Sequence, residues 1–182
     1  FWYGSQLPIF FLGNAFLCGA AAAVMFTHYA HVIRRRFMDK DTLAGVRSAG
    51  KVMTLMLVLI TVATAWRVIS YFVGGAEEGR MAAEALISGP LATNFWIFEV
   101  AIGLLLPLVL VIITRMNSVP AMSAAALMTL VGLFVRTYNT VVAGQIIPVF
   151  PGTTNTPAVL SYTPSVAEML LVMAGMGVVG AA

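Results

Sequence analysis

Long apolar runs broken by short polar segments dominate the chain, and their lengths set the first expectation. A helix crossing a bilayer needs about 20 consecutive, mainly apolar residues. Five segments reach or begin such a run: about 7–33, 52–73, 95–114, 121–143, and a last one that begins near Pro164 and runs to Ala182. No stretch alternates apolar and polar residues with the period of a half-buried strand. With no water in the hydrocarbon to satisfy open backbone groups, the pattern predicts an all-α, polytopic transmembrane helix bundle of about five spans. Residues 1–182 are expected to form one such bundle. The chain starts at Phe1 without Met and stops at Ala182 within an apolar run, so it is expected to be a piece of a longer polypeptide.

Composition sharpens this reading. The chain is 60% hydrophobic and 9% charged, against roughly 25% charged residues in soluble domains. No secretory signal peptide is visible, because the first apolar run is too long and its basic residues follow it. The single cysteine, Cys18, rules out an iron–sulfur cluster or disulfide framework built from this chain alone and reads as a small buried hydrophobe.

The net charge of +3 does not point to nucleic acid, because the basic residues are sorted by topology. Arg34, Arg35, Arg36, Lys40, Arg47 and Lys51 follow the first run, and Arg115 follows the third. Residues 75–93 hold Glu77, Glu78 and Glu84 with only Arg80, and residues 145–163 hold no charge. The excess of positive charge on cytoplasmic loops then places the basic segments inside, and the N-terminus and the 145–163 loop outside.

Against this background, polar residues inside the apolar runs carry the chemistry. Arg67, Glu99, Arg136 and Glu168 all fall near the outer ends of their runs, so two positive and two negative groups are expected in one layer. Buried charges are costly and call for partners. Ion pairing for structure alone, or snorkelling to the headgroups, would also account for them. Arg136, Asn139, Thr140 and Ala143 share one helical face, and Asn139 can both donate and accept hydrogen bonds. Gly144 and Gln145 mark a helix exit. For the last run two starts are open. Thr163 caps with Pro164 in the first turn and Glu168 faces inward, or Ser165 caps with Glu168 as its capping-box partner.

Other features are weaker. His28 and His31 sit on one run, and no other run supplies a facing histidine, so no bis-histidine haem is expected here. They read as interfacial polar residues or a proton relay. No metal site is expected. Pro107 predicts a kink in the third span. Gly13, Gly19 and the alanine runs 20–23 and 124–126 predict close helix approach. Arg80 and Glu84, four apart, predict a short amphipathic helix within 76–93.

Two patterns resemble a known family. They are Arg136-x-x-Asn139-x-x-x-x-Gly144-Gln145 and Tyr162-x-Pro164-Ser165-x-x-Glu168, and they are similar to the late part of the NrfD/PsrC-like family. Its members are quinone-interacting membrane subunits of polysulfide reductase, menaquinone reductase and alternative complex III. The opening Leu7-Pro8-Ile9-Phe10-Phe11-Leu12 leading to Gly19 resembles the start of that family's second half.

The resemblance implies a haem-free bundle in a bacterial inner membrane. It also implies menaquinone or ubiquinone as the redox partner near the periplasmic face, and an adjoining iron–sulfur subunit with further redox subunits. In the polysulfide reductase type the better-defined quinone pocket lies in earlier helices, outside this chain. The expected site has Glu168, Arg136 and Glu99 as a proton-transfer cluster, with Asn139, Gln145, Tyr162 and Ser165 lining a pocket. A carboxylate such as Glu168 would deliver protons while Arg136 and Asn139 polarise a quinone carbonyl. The alternatives are half of a secondary transporter, whose charges belong nearer mid-membrane, and a purely structural anchor.

Overall fold

A computed structural model of the chain describes residues 7–74, 77–146 and 165–181. Every described regular element is helical: α1 (Leu7–Ile33), α2 (Lys40–Gly74), α3 (Glu77–Ile87), a π-helical segment (Asn94–Leu105), α4 (Leu106–Thr114), α5 (Val119–Gln145) and α6 (Val166–Ala181). The chain divides into two compact units, residues 1–144 and 145–182.

Among the described residues, four helices are long and apolar enough to cross a membrane: α1, α2, the π segment with α4, and α5. The fifth expected segment is helical as α6, whose 16 residues extend about 24 Å at 1.5 Å per residue. Helix α2 begins at Lys40, twelve residues before the expected start of its span. Lys40, Arg47 and Lys51 are therefore helical rather than loop residues. Asp39 supplies the N-cap: its carbonyl accepts from the Leu43 N–H at 3.0 Å, and its side chain bonds Thr42.

The core of the first unit is built by side chains recurring at steps of three, four and seven. Leu17, Ala21 and Val24 of α1 meet Met53, Leu57 and Ile60 of α2, with Val111 of α4 and Met122, Ala125 and Ala126 of α5. Small residues set the spacing, since helices in lipid associate largely through close van der Waals packing. A Cβ on Gly103 would lie 2.6 Å from the Gly132 Cα, so the π segment and α5 touch backbone to backbone there. Gly13 packs against Ile60, whereas Gly19 has nothing within 4 Å of its Cβ position. Cys18, expected to be buried, is exposed. It sits one residue past the core position Leu17 and so turns away from the helix neighbours.

At Pro107, where a kink was expected, the helix changes type. The Leu106 N–H bonds Ala101 O, five residues back, and the next residue has no N–H to offer. The wider π turn thus ends where proline makes its continuation impossible. Helix α3 is amphipathic as expected, with Ala82, Ala83, Ala85 and Leu86 buried and Arg80 paired to Glu84 at 3.0 Å on the exposed side. The Trp96 Nε1–H donates to Ile87 O at 3.0 Å, tying α3 to the start of the π segment.

Candidate functional site: a buried polar cluster

Intramembrane polar side chains from three helices meet at one end of the first unit. Helix α2 brings Thr64 and Arg67, the π segment brings Glu99, and α5 brings Arg136 and Asn139; the two pairs are each three residues apart, on one face of their helix. All five are buried, with Glu99 and Asn139 each 1% exposed.

Glu99 is the hub. Its Oε1 lies 3.3 Å from Arg67 Nη2 and 3.9 Å from Arg136 Nη1, and its Oε2 accepts from Asn139 Nδ2 at 2.9 Å. Arg136 Nη1 also donates to Thr64 Oγ1 at 2.8 Å, and that hydroxyl donates to Ile60 O at 2.7 Å. The Phe10 ring of α1 completes the cluster, 4.9 Å from the Arg136 guanidinium carbon and 5.6 Å from that of Arg67. Such cation–π contacts reach about 2 kcal/mol when water is excluded.

The reach of Glu99 and Asn139 depends on the Gly103–Gly132 contact. Gly103 lies four residues after Glu99, and Gly132 lies four before Arg136. The close approach there lets two short side chains bridge the helices, Glu99 one turn and Asn139 two turns along from the contact. π turns recur at functional sites, and here one carries the hub carboxylate.

The cluster is not internally closed. Among the described residues, Arg136 Nη2 and Asn139 Oδ1 are buried polar atoms without a hydrogen-bond partner. Leaving such atoms unpaired costs roughly 1–3 kcal/mol each, and more at a charged group. One is a donor and the other an acceptor. The orientation of Asn139 follows from chemistry: an ionised carboxylate only accepts, so the amide nitrogen faces Glu99 and Oδ1 points elsewhere. An apolar groove of about 420 Å³ between α1 and α2 borders the cluster, with Phe10 in its wall beside Ile9, Gly13, Ile60 and Trp66.

The structure therefore brings together Glu99, Arg136 and Asn139 of the residues expected at the site. Glu168 is in the second unit. There Ser165 N donates to Glu168 Oε2 at 2.7 Å and Glu168 N donates to Ser165 Oγ at 3.3 Å, a reciprocal capping box at the start of α6. Of the two starts open in the sequence, α6 uses this one. Gln145 is the last residue of α5 and is exposed. Tyr162, Thr163 and Pro164 lie outside the described residues. Sequence reasoning missed Thr64 and Phe10. Thr64 was detectable as the residue one turn before Arg67, while nothing in the sequence singles out Phe10 among eleven phenylalanines. No group of His, Cys, Asp and Glu among the described residues has the arrangement of a metal site.

These features define a polytopic membrane bundle with a charged cluster buried near one end of its first unit. Residues 1–149 match the family described as NrfD, polysulphide reductase, and the chain belongs to that family. Membership makes it a membrane subunit of the kind found in quinone-interacting reductase complexes, whose members typically pair with iron–sulfur subunits. Neither a curated protein nor a solved structure matches the chain. All the cluster residues fall within the matched region, and Tyr162, Ser165 and Glu168 fall beyond it.

Proposed function

We propose that this chain is the quinone-interacting membrane subunit of a respiratory oxidoreductase in a bacterial inner membrane. Electrons pass between quinone and an iron–sulfur partner docked on the outer, periplasmic side. The observation that carries the reading is two buried, unpartnered atoms, the donor Arg136 Nη2 and the acceptor Asn139 Oδ1; the apolar groove supports it, because the Phe10 ring in its wall also lies against the Arg136 guanidinium. A quinone fits that pair: its oxygens accept hydrogen bonds when oxidised and donate when reduced, and its isoprenoid tail is apolar.

When bound, menaquinone or ubiquinone supplies a couple that takes up two electrons and two protons. The chain's own residues then have distinct tasks. Arg136 Nη2 donates to a ligand oxygen, while Nη1 is anchored by Thr64, so the guanidinium keeps its plane. Asn139 Oδ1 accepts from a ligand hydroxyl, with its amide oriented by Glu99. Glu99 is the carboxyl group among these five residues, able to take up and release a proton, with the counter-charge of Arg67 beside its Oε1. The surrounding apolar side chains exclude water, which strengthens each of these interactions.

The test is quinone turnover by the purified complex carrying Arg136→Gln or Asn139→Leu. Loss of one hydrogen bond to a charged or buried group is worth about 1.5–3 kcal/mol, a rise of roughly 10- to 100-fold in KM for quinone. Unchanged KM and kcat in complexes that assemble normally would sink the site assignment. A structural brace is the rival, favoured by the mutual pairing of Arg67, Glu99 and Arg136. It predicts lower yield of complex with full activity per complex.

A further inference from the structure

We propose that the end of α1 forms a binding site for the phosphate headgroup of an anionic membrane lipid. The inference is independent of the quinone reading, because it concerns a pocket at the opposite, basic end of the first unit. There a cavity of about 400 Å³ is bordered by His28, His31, Arg35 and Arg36, with Phe37 and Val119 on its apolar side. Basic pockets between spans on the cytoplasmic side are where acidic headgroups are held.

The local backbone is built around an arginine where glycine is the usual choice. Helix α1 closes with the Arg35 N–H on Val32 O and the Arg36 N–H on His31 O, both at 3.1 Å. This is the double hydrogen bond of a Schellman end. It requires a left-handed residue, and Arg35 takes that role with φ of 49°. A side chain there is strained relative to glycine. Non-glycine residues held in this region cluster at ligand clamps and other functional sites.

The charges in the pocket are not spent elsewhere. Among the described residues, Arg35 and Arg36 make no ion pair. His31 is fixed by a hydrogen bond from Nδ1 to Thr27 O at 2.8 Å, which leaves Nε2 as its second polar atom. Asp39, an acid that acts electrostatically on His31, is committed to the start of α2: its bond to Thr42 holds its carboxyl below the usual range, with a smaller contribution from His31. Val32, Ile33 and Phe37 are exposed beside the basic groups. A free phosphate ion would have no use for that apolar rim, whereas the glycerol and first methylenes of a lipid cover it. Tyr29, also exposed, marks the level of the interface, where aromatic residues are enriched.

The test uses the complex containing this chain, purified in neutral detergent. Bound lipid is counted by native mass spectrometry after adding phosphatidylglycerol, cardiolipin, or phosphatidylcholine of equal chain length. Anionic lipid is expected to be retained at least tenfold more tightly than phosphatidylcholine. Arg35→Gly should lose about tenfold in that retention while raising the lipid-free melting temperature, because glycine relieves the left-handed strain. A purely structural arginine would not give this combination of effects. Arg36→Gln with His28→Gln is the second variant, and it should lose retention without changing the backbone. Equal retention of phosphatidylcholine, or full retention of anionic lipid by both variants, would overturn the proposal. Displacement by inorganic phosphate or glycerol phosphate at matched concentration would also overturn it, in favour of a soluble anion. So would variants that keep lipid but shed a subunit, which would hand the patch to a protein partner.

Discussion

Asn139 Nδ2 donates to Glu99 Oε2 at 2.9 Å across 40 residues of sequence, and the same carboxylate faces Arg67 at 3.3 Å through its other oxygen. One buried carboxylate therefore holds side chains from two other helices, α2 and α5, and every expectation about this end of the bundle runs through it.

Removing the hub charge should cost more than any other single change in the cluster. Glu99→Gln leaves two guanidiniums buried without a counter-charge, and breaking a buried pair in this way costs about 3–5 kcal/mol. The expected outcome is a lower melting temperature and a reduced yield of complex. Replacing Arg67, Glu99 and Arg136 together by Met, Leu and Met should recover most of that stability while leaving quinone turnover absent. Turnover retained in the triple variant would refute a role for the cluster in the chemistry.

Gly132→Ala tests the spacing on which the cluster depends. A Cβ there runs into the Gly103 Cα, and the clash is with backbone, which cannot step aside. Overpacking of this kind costs typically 1–3 kcal/mol. The expected result is a less stable complex with weakened quinone binding, although neither glycine touches the cluster. Gly19→Ala is the control, with nothing within 4 Å of its Cβ position. It should be neutral in both assays.

The capping box at Ser165 and Glu168 allows a test of which carboxylate delivers protons. Ser165→Ala should destabilise α6 by about 1 kcal/mol. Glu168→Gln keeps a side chain able to reach the Ser165 N–H, so stability should hold. Quinone turnover in Glu168→Gln is expected within about twofold of the parent, because Glu99 is the carboxylate of the cluster. A tenfold loss would assign proton delivery to Glu168.

Asp39 gives a pH dependence with a definite sign. Its carboxyl lies below the usual value of 3.8, first because Thr42 bonds its charged form, with burial opposing weakly. A depressed carboxylate contributes stability above its unfolded pKa and loses it as pH falls through the lower folded value. The start of α2 should therefore stay ordered at pH 4 and loosen only at lower pH. Carboxyl carbon NMR of the labelled protein reads this directly. An Asp39 titrating above 3.8 would contradict the capping role, and in Asp39→Asn the pH effect should vanish.

Much of the bundle was legible in the chain because lipid makes hydrophobic length informative. A run of about 20 apolar residues has few alternatives to a helix where no water can satisfy the backbone. The four long spans and the amphipathic α3 were accordingly foreseen. Glu99, Arg136 and Asn139 stood out for the same reason: a polar group in an apolar run is conspicuous. The π geometry around Glu99 was not legible. It depends on how the π segment and α5 meet, and the sequence shows only the proline that ends it.

Depth along each helix, and with it the gathering of Arg67, Glu99 and Arg136 in one layer, follows from counting residues. Rotation about each helix axis does not. Nothing local distinguishes Phe10 from its neighbours, yet its ring faces two guanidiniums. Likewise, nothing local tells that Gly132 meets a backbone while Gly19 meets nothing. Whether Glu168 faces inward or closes its own helix end was also open in the sequence, since both satisfy its charge; in α6 the Ser165 N–H lies 2.7 Å away. Burial length is a property of one segment, whereas partner choice belongs to pairs of helices. Only packing, through the Gly103–Gly132 contact, selects which donors meet Glu99 and which two atoms are left open.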